Sequence, residues 1–165
     1  MRKLDYVEFK TCKIMASIFE RSVDLSSLSS PMFIKRFMKC NWASSLFDKT
    51  YWILTCNNDD IIIELNKAYG NDRGNIKYSH DQMYWIGYIY LALGFLFELA
   101  PLEVYKLFPG TKIVEYYPIY HTFDIEEAAE RMMDNIGYKK ESRSEKAFRI
   151  MKELYKGDKA SLKNF

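Results

Sequence analysis

One uninterrupted apolar stretch, Ser79–Leu99, constrains the fold of this chain more than any other feature. Ser79 and Gln82 have the spacing of a capping box, in which the two side chains satisfy backbone N–H groups of the first helical turn. No charged residue lies between Gln82 and Phe97, and Pro101 ends the pattern. A helix that is apolar on nearly all sides has to be surrounded by other elements, so the stretch predicts a central buried helix.

A membrane span is the competing interpretation of the same stretch. Its uncharged part is shorter than the roughly 20 residues that cross the hydrocarbon core of a bilayer. One stripe at the three-to-four spacing contains Gly87 and Gly94, where a missing side chain would let a neighbouring backbone approach closely. We therefore expect a core helix and no membrane contact.

Composition favours helices throughout the chain. Hydrophobic residues make up 48% and aromatic residues 16% of the sequence, which excludes a disordered chain. Only 7 glycines and 4 prolines argue against a turn-rich sheet fold. We predict an all-α domain over residues 1–136, packed around the central helix, with one short extended segment at Tyr51–Leu54. A basic helical tail is predicted over residues 137–165.

Local signals also set the ends of two later helices. Thr111–Tyr117 is predicted to be helical and to stop at Pro118, because proline removes a backbone donor. Asp124 and Glu127 have the capping-box spacing and predict a helix that begins at residue 125.

The formal net charge of +2 is unevenly distributed. Residues 137–165 contain nine Lys or Arg and four Asp or Glu, so the tail carries +5, while the remaining 15 basic and 18 acidic residues leave −3. We expect the apolar side of the tail to dock on the domain and a basic face to point outward. This face can bind nucleic acid or an acidic protein surface, or simply be solvated. Its residues are Lys146, Arg149, Lys152 and Lys156.

The cysteines and the missing motifs exclude several functional classes. Cys12, Cys40 and Cys56 are widely spaced and odd in number, which favours reduced thiols and a cytoplasmic protein. Charged residues interrupt the segment after Met1, so it lacks the pattern of a secretory signal. The sequence contains neither a metal-ligand pattern nor a glycine-rich phosphate loop, so we predict no metal and no cofactor.

Any histidine-dependent chemistry would use one of two residues, His80 or His121. Arg73 and His80 match the R-x(4–6)-H spacing of HEPN-type ribonucleases, in which both side chains approach the scissile phosphate. That family places both residues on one helix, whereas Arg73 falls in a predicted loop. A surface role in the first turn therefore explains His80 better, and ribonuclease activity is kept as the alternative.

Tyrosines crowd the region around the central helix. Core packing explains most of them, and an aromatic groove for a partner explains the surplus, because the tyrosine ring is apolar and its hydroxyl is polar. We predict that a partner protein binds at Tyr84, Tyr88, Tyr105, Tyr120 and His121.

Two blocks in this region resemble a family of small bacterial and mobile-element proteins. The first is YWIGYIY at Tyr84–Tyr90, and the second is YHT-x-D-x-x-x-A-x-E-R at Tyr120–Arg131. Members of this family often lie in toxin–antitoxin-like operons. The resemblance implies a bacterial or phage protein that neutralises or regulates a partner, such as a toxin or a host defence effector.

The chain departs from the family pattern at Leu91, where we expect an arginine, and in its basic tail. Leucine cannot hold a phosphate or carboxylate bidentately as a guanidinium does. We therefore predict a non-enzymatic binding protein, an antitoxin-like or phage-borne inhibitor that occludes its partner. The alternative is a HEPN-like ribonuclease or a nucleic-acid-binding regulator.

Overall fold

The computed structural model describes residues 2–49, 56–70, 74–139 and 142–161, and every regular element within them is a helix. The predicted all-α fold is confirmed. The extended segment predicted at Tyr51–Leu54 lies outside the described residues. The helices are α1 (Tyr6–Leu25), α2 (Ser30–Phe37), α3 (Asn41–Phe47), α4 (Asn58–Tyr69), α5 (His80–Phe97), α6 (Pro101–Leu107), α7 (Gly110–Tyr120), α8 (Ile125–Asn135) and α9 (Arg143–Ser161).

The chain divides into two units, Met1–Asp134 and Asn135–Phe165. The first unit contains α1 to α7 and almost all of α8, and it holds the hydrophobic core. The second unit contains α9.

Helix α5 starts where the sequence predicts. Ser79 Oγ accepts a hydrogen bond from Gln82 N at 3.2 Å, and Gln82 Oε1 accepts one from Ser79 N at 2.9 Å. Every residue from Trp85 to Phe95 is buried, as expected of a central helix. The helix ends at Phe97, because Glu98 adopts a left-handed conformation with φ of 56°.

Helix α1 crosses α5 at Gly87. A Cβ atom on Gly87 would lie 2.8 Å from Met15 O and 2.9 Å from Ala16 Cα, so the two backbones approach closely, as predicted. Gly94 differs, because its nearest neighbour is the ring of Phe47 on α3. Gly87 therefore allows a close contact with a backbone, whereas Gly94 makes room for a side chain.

A buried carboxylate, Glu8, holds the start of α1. Glu8 is 1% exposed and forms a capping box with Asp5, in which Glu8 N donates to Asp5 Oδ1 at 2.8 Å and Asp5 N donates to Glu8 Oε2 at 3.0 Å. Its other oxygen accepts from Arg2 Nη2 at 2.6 Å and Lys49 Nζ at 3.1 Å. Burial raises the pKa of Glu8, but the hydrogen bonds from Asp5, Lys49 and Arg2 outweigh it and leave the pKa below its ordinary value.

The prediction that Pro118 stops a helix at Tyr117 is wrong. Helix α7 continues through Pro118 to Tyr120. Proline removes the donor that would bond to the carbonyl of Val114, but this loss falls in the last turn, where little helix follows. His121 N still donates to Tyr117 O at 3.0 Å, which closes the turn beyond the proline.

Helix α8 begins at Ile125, as predicted, but Glu127 has a different role from the one expected. Its carboxylate accepts hydrogen bonds from Nε and Nη2 of Arg131, at 3.0 and 2.8 Å, one helical turn further on. Gly137, which follows α8 in the chain, has a positive φ of 65°, which glycine adopts without strain.

Within the described ranges, no single helix is long and apolar enough to cross a membrane. One pair of helices, His80–Phe97 and Pro101–Leu107, reaches the required length and composition only together, and it is bent by 111°.

Candidate functional site

A pocket of about 340 Å³ lies between the N-terminal half of α5 and the end of α7. One wall is a stripe of α5 at spacings of three and four residues, and the other comes from the end of α7 and the turn into α8. The lining residues are Asp81, Tyr84, Trp85, Tyr88, Tyr117, His121, Phe123 and Ile125.

Aromatic rings form most of the pocket surface. Trp85 and Tyr117 meet edge to face, with centroids 5.8 Å apart and planes at 78°. The rings of Tyr84 and Tyr88, one turn apart on α5, have centroids 6.5 Å apart. The ring of Phe9 on α1 packs against Tyr88 with a centroid distance of 6.1 Å. Trp85 is only 8% exposed, so packing fixes the orientation of this wall.

His121 is oriented by Tyr117 in two ways. Its imidazole stacks on the Tyr117 ring with centroids 4.6 Å apart, and its Nδ1 donates to the Tyr117 carbonyl at 2.8 Å. Because a carbonyl only accepts, Nδ1 carries a proton, and Nε2 of the neutral ring is an acceptor. Nε2 has no hydrogen-bond partner among the described residues.

Asp81 supplies the one carboxylate among the described residues that line the pocket. Asp81 is exposed and makes no ion pair within the described part of the chain, and no described lysine or arginine lines the pocket. Burial raises the pKa of Tyr84, and the negative charge of Glu20 raises it further. Burial also raises the pKa of Tyr88, with a smaller contribution from Glu126.

Two basic side chains next to pocket residues, His80 and Arg131, each contact a carboxylate. His80, the neighbour of Asp81 in the chain, has Nε2 2.8 Å from Asp24 Oδ2. Arg131 lies 4.9 Å from the centroid of the Phe123 ring and is bound to the carboxylate of Glu127. Asp81 is therefore the carboxylate of the pocket that remains available to a ligand.

Three of the five predicted partner-binding residues line this pocket, namely Tyr84, Tyr88 and His121. The other two lie elsewhere. Tyr120 stacks on Tyr116 with centroids 6.0 Å apart, and Tyr105 is half-buried on α6.

Several residues of the pocket were missed by the sequence analysis. Asp81 and Trp85 share the helical spacing of Tyr84 and Tyr88, and this signal was visible in the sequence. Tyr117 lies four residues before His121, but the predicted stop at Pro118 separated the two.

The ribonuclease arrangement of Arg73 and His80 stays a prediction. The hydrogen bond from Asp24 raises the pKa of His80 above its ordinary value and holds the exposed imidazole on the surface. Arg73 lies outside the described residues.

The four predicted residues of the basic face all lie on α9. Lys152 is exposed and Arg149 is partly exposed, whereas the side chains of Lys146 and Lys156 are outside the described set. Docking of the apolar side of this helix stays a prediction.

Within the described ranges, no three His, Cys, Asp or Glu residues are grouped so that they could hold a metal ion. No disulfide bond joins Cys12, Cys40 and Cys56 within the described part of the chain. Burial raises the pKa of the Cys12 thiol far above its ordinary value.

No protein-family model matches the chain, and neither a curated protein nor a solved structure is significantly similar to it. The family resemblance of the YWIGYIY and YHT blocks therefore stays a prediction.

Proposed function

We propose that this chain is a non-enzymatic binding protein that inhibits or neutralises a partner protein, and that the partner inserts a side chain into the pocket between α5 and α7. The observation that carries this proposal is the convergence of Tyr84, Tyr88 and His121 on one pocket from two separate elements.

The composition of the pocket supports a protein partner. Tyrosine and tryptophan are enriched at the centres of protein interfaces, because they bury a large apolar area and keep a polar group for orientation. At about 340 Å³ the pocket is near the lower end of the range of ligand sites, which suits one inserted side chain. Asp81 and His121 add polar groups that can orient this side chain.

Inhibition by such a protein would act through occlusion. When a partner is anchored in the pocket, the residues of this chain around α5 and α7 cover part of the partner's surface. This contact blocks the partner without any chemical step. The antitoxin-like or phage-borne setting, in a bacterial cytoplasm, rests on the sequence resemblance alone.

The test compares two tyrosine variants in one capture experiment from bacterial lysates. We expect the wild-type protein and Tyr69→Ala, whose residue is exposed at the end of α4 and does not line the pocket, to retain one stoichiometric partner, and Tyr84→Ala to lose it. The purified partner should lose its activity when it is mixed with wild-type protein at equimolar concentration. Thermal unfolding of both variants confirms that they are folded.

Two outcomes would contradict this function. One is a partner that Tyr84→Ala retains as well as Tyr69→Ala does. The other is RNA cleavage by the purified protein that His80→Ala abolishes, which would support the ribonuclease alternative.

A further inference from the structure

We infer that the side chain bound by the aromatic pocket is an arginine of the partner, with its guanidinium group between the rings and the carboxylate of Asp81. This inference rests on the proposed function, since it names the chemistry of the group that the same pocket receives.

The rings provide the first argument. A guanidinium group is attracted to the negative faces of aromatic rings and can stack flat on them. Trp85 meets Tyr117 edge to face with planes at 78° and is nearly buried, so the ring surface open to a ligand comes from the partly exposed Tyr84 and Tyr117. A flat cation can lie against one ring while its edge faces the other.

Among the described residues, two arginines lie over aromatic rings, beside three lysine–ring contacts. The guanidinium carbon of Arg131 lies 4.9 Å from the centroid of Phe123, at the rim of the pocket. The guanidinium carbon of Arg36 lies 4.6 Å from the centroid of Tyr69 on another surface. Both contacts lie within the distance at which a cation is attracted by a ring.

Charge provides the second argument. Asp81 lines the pocket without an ion-pair partner among the described residues, while the neighbouring cations His80 and Arg131 are each bound to another carboxylate. Glu20 and Glu126 act electrostatically on Tyr84 and Tyr88, so further negative charge lies near the pocket. An anionic ligand would meet repulsion here, and a cationic one attraction.

Hydrogen bonding distinguishes arginine from other cations. The guanidinium group carries five N–H donors in a planar fork, and the pocket offers acceptors at Asp81 and at His121, where Nδ1 is already bonded to Tyr117. A quaternary ammonium group has no donor and would leave these acceptors unused. A lysine ammonium is compact and strongly hydrated, and it cannot stack flat on a ring.

The test uses N-acetyl-arginine methylamide and its uncharged counterpart, N-acetyl-citrulline methylamide, which has nearly the same shape. Each compound is titrated into the full-length protein while the ring resonances of Trp85 and His121 are followed by NMR. We expect the arginine compound to shift both sets of resonances and to bind roughly five- to tenfold more tightly than the citrulline compound, since only the former carries the charge.

Two carboxylate variants provide the matched control. Asp81→Asn should weaken binding of the arginine compound several-fold, because it removes the charge that faces the guanidinium. Asp60→Asn makes the same exchange at an exposed first-turn position of α4 and should leave the binding unchanged. Equal binding of the arginine and citrulline compounds, or of Asp81→Asn and wild-type protein, would overturn the inference.

The outcome separates this inference from the proposed function. Selective binding of the arginine compound without a captured protein partner would support the cation site and count against the inhibitor function. A partner that depends on Tyr84, combined with tighter binding of N-acetyl-phenylalanine methylamide than of the arginine compound, would support the function and overturn the cation site.

Discussion

Tyr117 holds His121 through both its ring and its backbone, with the ring centroids 4.6 Å apart and a 2.8 Å hydrogen bond from His121 Nδ1 to the Tyr117 carbonyl. The same carbonyl accepts from His121 N at 3.0 Å. These contacts exist because α7 continues past Pro118, so that the two residues stand one turn apart. They give the histidine of the pocket one fixed orientation and a defined acceptor nitrogen.

We expect the two glycines of α5 to respond differently to the same substitution. A Cβ at Gly87 meets the backbone of Met15 and Ala16, which cannot move without shifting α1, so Gly87→Ala should destabilise the fold by about 1–3 kcal/mol. At Gly94 the obstacle is the side chain of Phe47, which can rotate away, and the higher helix propensity of alanine offsets the remaining cost. Urea denaturation measures both values. Equal stability of the two variants would mean that α1 does not approach α5 at Gly87.

Because the carboxylate of Glu8 is buried and ion-paired, part of the free energy of unfolding should depend on pH in the acidic range. The pKa of Glu8 is lowered in the folded state. The stabilisation from Glu8 is therefore fully present above its pKa in the unfolded chain, near 4.5, and is lost as the pH falls through its pKa in the folded state. We expect Glu8→Gln to cost about 1–3 kcal/mol at pH 7 and to be closer to wild-type stability at low pH. Denaturant titrations between pH 7 and acid measure this difference. Glu115→Gln, at an exposed site on α7, is the control and should show no such convergence.

The His80–Asp24 pair should be visible in a proton titration. The hydrogen bond and negative charge of Asp24 raise the pKa of His80 above its ordinary value of 6.5. The stabilisation from this pair is therefore present below the unfolded pKa and is lost as the pH rises through the folded pKa. NMR titration of the imidazole protons should show a raised pKa in the wild-type protein and a lower one in Asp24→Asn. An identical pKa in both proteins would exclude the contact.

The basic face of α9 is predicted to bind nucleic acid or an acidic protein surface, or simply to be solvated, and the salt dependence of DNA binding tests the first of these. We expect the affinity for a short DNA duplex to fall steeply between about 50 and 200 mM salt, because phosphate contacts release counterions. Replacement of Lys146, Arg149, Lys152 and Lys156 by glutamine should abolish this binding in a fluorescence anisotropy titration. No binding of DNA at low salt would exclude nucleic acid and leave an acidic protein surface or a solvated helix. A captured partner whose binding changes little with salt would then indicate a protein surface.

Local signals in the sequence predicted the elements that depend on neighbouring residues. The start of α5 follows from Ser79 and Gln82, which lie three residues apart, and its burial follows from an apolar composition on all sides. Three of the pocket residues were also predicted, because tyrosine, the residue type of Tyr84 and Tyr88, is common at interfaces and His121 lies in the YHT block.

Only the tertiary structure decided which of these residues meet. Tyr84 and Tyr117 are more than thirty positions apart, and no local pattern relates them. The predicted helix stop at Pro118 is overridden, because proline removes only one hydrogen bond in the last turn of α7. The turn beyond the proline places His121 at the pocket. Short-range sequence patterns therefore determine the caps and the central helix. The pocket depends on the packing of α5 against α7, which involves residues far apart in the sequence.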